Sequence, residues 1–476
     1  MLIGIDIGTT NCKAVLCDES AYTLAVESAA TPRKKDSDGE EVCDPKQLAA
    51  LIYSLLNKLS AGERPEAIGI TGMAEGGILL DAKSGEPRSD LLFWPDSRGK
   101  PVFERIYNAG MEQDRFFSTG LHDSYKYSIH KILMLRDKGV DLEGSVWLSA
   151  PAYAAFLLTG KMYDEYTLAA RTYCFDINKL SYDYSFLEFH NIPKDIFPPA
   201  YAAGQETGET SGNPWRGVPV AIGGHDHICA SYAQGIENED DIFLSMGTAA
   251  VLLGSFEKRR LSKDDWNLGY SFGLSPEKKR MTWLASIQSA GGAVDWCCSV
   301  LGITDYKTLD EKMNDRMDRV GEVLFFPYLS GSGAPKLDSS IRGGFAGLTA
   351  RTGALDLVQA VYEGIAYEMR MLLESAPSGR KGLVRAVGGG TRNRLFIRVL
   401  ADILGRTVEI SGLEQSAAAG AALLAGNKKP VKAEVKEQFF PSAARGKIYE
   451  GMYQNAYLGM QDALRRCSKQ LGYQNK

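Results

Sequence analysis

Apolar residues at the start of the chain fall into two short runs around a polar turn: "LIGIDIGTTNCKAVLCDE", residues 2–19. The pattern predicts a strand at Leu2–Ile7, a tight turn at Gly8–Cys12 and a second strand at Lys13–Asp18. Residues 45–59 change period. Leu48, Leu51, Ile52, Leu55, Leu56 and Leu59 recur at helical spacing. "AIGITG" (67–72) reads as a short buried strand ending in a glycine turn, and "GGILLDAKSGEP" as a strand and then a turn. Strands alternating with helices predict an α/β protein.

The opening pattern returns half a chain later. "DIFLSMGTAAVLLGSF" (241–256) is again strand, Gly-Thr turn, strand. Two such hairpins predict two similar α/β domains facing each other. The glycine-led, acidic stretch at 235–241 sets the expected boundary, giving domains 1–235 and 236–476. In the second half, 353–374 carries Leu357, Val358, Val361, Ile365, Met369 and Leu372 on one helical face. Residues 383–405 read as strand, triple glycine, helix. Residues 417–426 form a small-residue helix suited to close packing, and about 447–471 reads as one more helix.

Composition narrows the class. At 476 residues the chain exceeds one compact core. A net charge of -5 argues against a general nucleic-acid binder. No apolar run reaches the roughly 18–20 residues of a membrane span, and no secretory signal is expected. Eight scattered cysteines without a C-x-x-C pair are expected to be reduced core residues of a cytoplasmic protein.

The candidate chemistry begins with an apparent cost. Asp6 interrupts a buried-looking strand, and a carboxylate is expensive to bury without a partner. Either it pairs with a buried cation or it has a functional role. The next turn, Gly8-Thr9-Thr10, exposes backbone N–H groups and hydroxyls in one place, as phosphate-binding nests do. Gly247-Thr248 repeats the device, and Gly388-Gly389-Gly390 adds a glycine cluster where a nucleotide can rest. There is no G-x-x-x-x-G-K-[ST], and no G-x-G-x-x-G after the first strand. Phosphoryl transfer needs a magnesium ion, phosphate clamps and a base for the attacking hydroxyl. Asp6 suits the metal role. "VPVAIGGHDHICASYAQG" (218–235) ends a strand at Gly223-Gly224 and then presents His225, Asp226 and His227. Asp226 is a candidate base or a helix cap, and the two histidines are pocket lining. "TGMAEGG" places Glu75 in a glycine turn, and "FWPDSRG" sets Trp94, Asp96 and Arg98 together. Carboxylates and an aromatic plane suit a polyhydroxylated ligand. The competing reading of Asp96 and Arg98 is an ion pair.

Several of these stretches resemble the FGGY family of carbohydrate kinases. "GGFAGLTARTGALDLVQAVYEG" (343–364) is similar to the family's second signature. "FFPYLSGSGAP" (325–335) resembles the segment before it, with Ser332-Gly333 where the family often has Glu-Arg. "FLLTGKMYDEYTLAARTYCFD" (156–176) and "GGGTRNRLFIRVLADILG" (388–405) resemble its Leu-Thr-Gly and adenosine-binding segments. The resemblance implies two actin-like, ribonuclease-H-type domains with ATP in the cleft, and transfer of its γ-phosphate to a sugar or polyol. It implies Asp6 and Asp226 as carboxylates at a Mg2+ ion, Asp226 being also the catalytic base. Gly8, Thr9, Thr10, Gly247 and Thr248 become phosphate contacts, and Gly389, Gly390 and Asn393 adenosine contacts. The chain departs from the family's xylulose and glycerol kinases at Gly72-Met73-Ala74-Glu75 and at His227. The expected substrate is a ketose or polyol of three to six carbons, read by Glu75, Trp94, Asp96, Asp226 and His227. Expected partners are that small molecule and, at most, a second copy of the chain as a homodimer, with neither nucleic acid nor membrane. An actin-like ATP-driven switch and a catalytically decayed kinase are the competing readings.

Overall fold

The computed structural model describes residues 1–59, 64–212, 214–236, 238–379, 381–430 and 433–470. Two large sheets organise them. Across the first, the strands run Glu206–Glu209, Pro219–His225, Ala67–Gly72, Leu2–Ile7, Asn11–Cys17, Thr23–Ala30. Across the second they run Ser271–Leu274, Arg280–Ile287, Ala250–Glu257, Ile242–Met246, Val384–Val387, Val408–Ser411, Val435–Phe439. The pairing repeats. Leu2–Ile7 is antiparallel to the strand after it and parallel to Ala67–Gly72. Ile242–Met246 is likewise antiparallel to Ala250–Glu257 and parallel to Val384–Val387. The two similar strand–turn–strand openings therefore begin two sheets of the same design, and the chain passes from one to the other between His225 and Ile242.

The lobes are locked by a helix from the second half lying on the first sheet. Gly4 and Gly69 are register partners on neighbouring strands. A β-carbon on either would sit 1.9 Å from a backbone oxygen of that helix, Ala418 O for Gly4 and Ala421 O for Gly69. The helix, Ser416–Ala425, also meets Asp226–Ala233 at backbone distance, since a β-carbon on Gly420 would lie 1.9 Å from Cys229 O. Only glycine permits such approach. The small-residue helix expected at 417–426 is thus present and closely packed.

Other expectations shift at their edges. The long amphipathic helix spans Ala354–Ser375. The last one starts earlier than expected, at Ala443–Met452, and continues through a π turn into Leu458–Gln470. A further five-stranded sheet includes Gly77–Asp81 and Ser145–Ser149, beside helices such as Ser128–Asp137 and Ala150–Thr159. Seven of the eight cysteines are buried, Cys467 is exposed, and all are free thiols. Among the described residues no helix is long and apolar enough to cross a membrane.

Candidate active site

Three parallel strands of the first sheet end at one edge, because Ile7 and His225 are both in register with Gly72. The residues just past each strand are thereby delivered to a common place: Gly8-Thr9-Thr10, Met73-Ala74-Glu75 and Asp226-His227. Ligands of open α/β sheets bind at such carboxyl ends. A cavity of about 470 Å³ opens there between the two lobes. Thr9, Glu75, Trp94, His225, Asp226 and His227 line it from the first lobe, and Ala249, Ser286 and Gln288 from the second.

Asp6 lies on the first strand, cross-strand from Lys13, but the Lys13 ammonium donates instead to Gln415 Oε1 at 3.0 Å. Asp6 Oδ1 is buried without a hydrogen-bond partner. Burial, with the nearby Asp226 charge adding to it, pushes the Asp6 carboxyl up to about 7. Asp226 goes the other way. Burial alone would raise it, but His227 and His225 outweigh that and hold it well below the usual carboxylate range. His225 Nε2 lies 3.2 Å from Asp226 Oδ1, and the His227 backbone N–H donates to the same oxygen at 2.6 Å. Asp226 opens its helix, where the dipole favours a negative charge. The cap position is His225, so Asp226 is the first residue of the helix rather than its cap, and it lines the cleft.

Glu75 meets Arg171, Oε1 to Nε 3.3 Å. Burial opposes the Glu75 charge, and Arg171 overcomes it and lowers the carboxyl. Trp94 also lines the cavity, and Lys126 Nζ stands 5.0 Å from its ring centroid. Burial lowers the imidazole of His227, with the Asp226 charge working against it.

Asp96 is elsewhere. It does not line the cavity. Its carboxylate caps the turn Ser97–Gly99 and grips Arg98, with Nη2 at 2.5 Å from Oδ2. Arg98 extends the pair to Asp36 and to Asp38. The ion-pair reading is the one the structure supports, because a buried carboxylate beside a guanidinium is most stable bidentate.

In the second lobe, the Gly247-Thr248 turn sits at the start of the helix Ala290–Val300. The Gly291 and Gly292 N–H groups donate to Gly247 O at 3.2 Å and Thr248 O at 3.0 Å. The triple glycine packs beside it: Gly388 has φ +96°, and a β-carbon there would lie 2.5 Å from Met246 O. Gly389 faces open space. Asn393 is committed to structure. Its Oδ1 accepts from Phe396 N–H at 2.8 Å, and its Nδ2 donates to Asp310 at 2.7 Å and to the Tyr362 hydroxyl at 3.0 Å. In the first lobe Thr9 reaches the cavity, while Thr10 is exposed and is not among the lining residues.

Sequence reasoning missed Arg171, Lys126 and Lys131. Lys131 is fully buried and donates to the Lys126 carbonyl and to Trp94 O at 3.4 Å. It ties together the two loops carrying Trp94 and Lys126. A lysine beside the apolar run Ile132–Leu135, in "SIHKILML", was the available signal.

Two lobes of like topology, each with a Gly-Thr turn beside a shared cleft, define an actin-like phosphotransfer fold. Residues 1–232 match the N-terminal domain of the FGGY family of carbohydrate kinases and residues 242–427 its C-terminal domain. The chain belongs to that family, whose members are ATP-dependent sugar or polyol kinases. A glycerol kinase from Saccharolobus islandicus is 27% identical, over 89% of this chain and 87% of that protein. The structure of a ligand-bound xylulose kinase from Lactobacillus acidophilus superposes with a TM-score of 0.87 at 21% identity, covering 98% of this chain and 99% of the other. Plasmodium falciparum glycerol kinase with ADP gives 0.83 at 22%, covering 96% and 97%.

Proposed function

We propose that this chain transfers the γ-phosphate of ATP to a hydroxyl of a ketose or polyol of three to six carbons, with Asp226 as the general base. The observation that carries this reading is Asp226 at the end of three parallel strands, on the wall of a cavity lined by both lobes and close enough to Asp6 for its charge to be felt there. The acceptor hydroxyl binds beside Asp226 and attacks the γ-phosphorus. The bond from that phosphorus to the ADP oxygen breaks, and the hydroxyl proton passes to Asp226. The transition state is loose, so the proton moves late and a carboxylate of low pKa suffices. His225 and the His227 N–H hold the carboxylate in place.

The residues fit a Mg2+ site. A buried Asp6 oxygen with no partner, within the field of a second carboxylate, is what a divalent cation would satisfy. Bound there, the ion would supply neutralising charge for the polyphosphate. Gly8, Thr9 and Thr248 supply donors for phosphate oxygens; the Gly247 N–H is already given to Ala249 O at 3.0 Å, and Thr10 stands off the cavity. Gly389 leaves backbone room for the nucleoside, whereas Gly390 packs against Met246, where a β-carbon would lie 2.9 Å from Cβ. Glu75 with Arg171, Trp94 and His227 read the acceptor's hydroxyls.

ADP release from Mg-ATP, measured with a panel of ketoses, aldoses and polyols, tests the reading. Strong stimulation by one acceptor is expected. ATP hydrolysis that no acceptor stimulates would contradict it.

A further inference from the structure

Asp226 is presented by an irregularity in its strand. Ile222 is in register with Ile70, but the next partner of Thr71 is Gly224, not Gly223. Gly223 is therefore an extra residue, a β-bulge, and Gly224 follows it at φ +116°. Bulges re-aim the side chains next to them, and Asp226 stands two residues beyond this one. A bulge also interrupts the ladder, so the buried backbone groups around it need other partners.

Buried side chains supply them. Thr71 Oγ1 donates to Gly224 O at 2.7 Å. The His225 N–H donates to Thr167 Oγ1 at 2.9 Å. The Thr167 hydroxyl in turn donates to Glu165 Oε2 at 2.6 Å, and the same oxygen accepts from the Thr167 and Leu168 N–H groups at 2.7 and 3.3 Å. An oxygen that already takes two N–H donors is an acceptor, so the Thr167 proton points at it and a Thr167 lone pair is left for the His225 N–H. The packing is as tight as the bonding. A β-carbon on Gly224 would lie 2.5 Å from Thr167 Oγ1 and 2.7 Å from Glu165 Oε2. Thr71, Glu165 and Thr167 are all buried, and none of them is a wall of the cavity.

We propose that Thr167, held by Glu165, and Thr71 opposite it are positioning residues for phosphoryl transfer: they clamp the bulge that aims the Asp226 carboxylate and act on the reaction only through Asp226. This inference rests on Asp226 being the general base, and the experiment separates the two.

Thr167→Val keeps the side chain's shape and removes its hydroxyl. ADP release from Mg-ATP is measured with whichever of glycerol, ribitol, D-xylulose and D-ribulose is used fastest, at a temperature below the melting transition of every variant. In Thr167→Val kcat is expected to fall by about tenfold or more, with acceptor KM and ATP affinity unchanged, and Thr167→Ser restores it. In the Asp226→Asn background the same substitution should cost nothing further, because the group it positions is gone. Thr71→Val carries the same expectations and takes over the test if Thr167→Val does not fold. Unchanged kcat in the valine variant, or an equal loss with and without Asp226, overturns the inference and leaves the base assignment intact. Near-normal turnover of Asp226→Asn alone overturns the base assignment and this inference with it. ADP release stimulated by none of the four acceptors counts against the kinase reading on which both stand.

Discussion

Asp6 feels the charge of Asp226, and the two titrate in opposite directions: burial and the Asp226 charge push Asp6 up to about 7, while His227 and His225 hold Asp226 low against its own burial. The proposed Mg2+ would relieve the charge that the two carboxylates impose on each other.

Asp6 makes stability depend on pH. Its folded pKa lies above the unfolded value of 3.8, so between about 4 and 7 the folded state holds more protons than the unfolded one. Stability therefore falls as pH rises through that window and then levels. Asp6→Asn should flatten this slope and stabilise the metal-free protein at pH 8 by about 1–4 kcal/mol, the upper figure being the full shift. Urea unfolding at pH 4.5 and pH 8 measures it. An Asn variant less stable than the parent at pH 8 would show that Asp6 is instead a structural ion-pair partner.

Glu75→Ala leaves Arg171 without its carboxylate in the cavity wall. If Glu75 serves only to hold the acceptor, KM for that substrate rises by about tenfold or more and kcat changes little. A drop in kcat at unchanged KM would place Glu75 in the transition state instead.

Gly69→Ala puts a methyl group 1.9 Å from Ala421 O, a backbone atom that cannot move without shifting the whole interlobe helix. The expected cost is about 3 kcal/mol or more, read as a lower urea midpoint. Wild-type stability in this variant would mean that the helix does not rest on the sheet at backbone distance.

Much of the site was legible because its parts are local. A strand, a Gly-Thr turn and the next strand occupy a few consecutive residues, so Asp6, Thr9, Glu75 and Asp226 stand out at strand ends. Arg171, Lys126 and Lys131 did not stand out, since only tertiary contacts bring them to the cleft. Helix Ser128–Asp137 is buried on nearly every side from Ser128 to Leu135, so it lacks the polar face that marks amphipathic helices. Asp96 was read as a ligand because its polar neighbours suit a sugar, yet the adjacent Arg98 uses its carboxylate first. Asn393 likewise spends its amide on capping and on Asp310 and Tyr362. Polar residue type is visible in a sequence; which partner reaches it first is decided by packing.

The most direct test of the base assignment is the turnover of Asp226→Asn with Mg-ATP and the acceptor found in the panel, beside its ATP affinity. The account predicts turnover lower by about 10² or more with ATP binding retained. Near-normal turnover would contradict it and remove Asp226 from the base role.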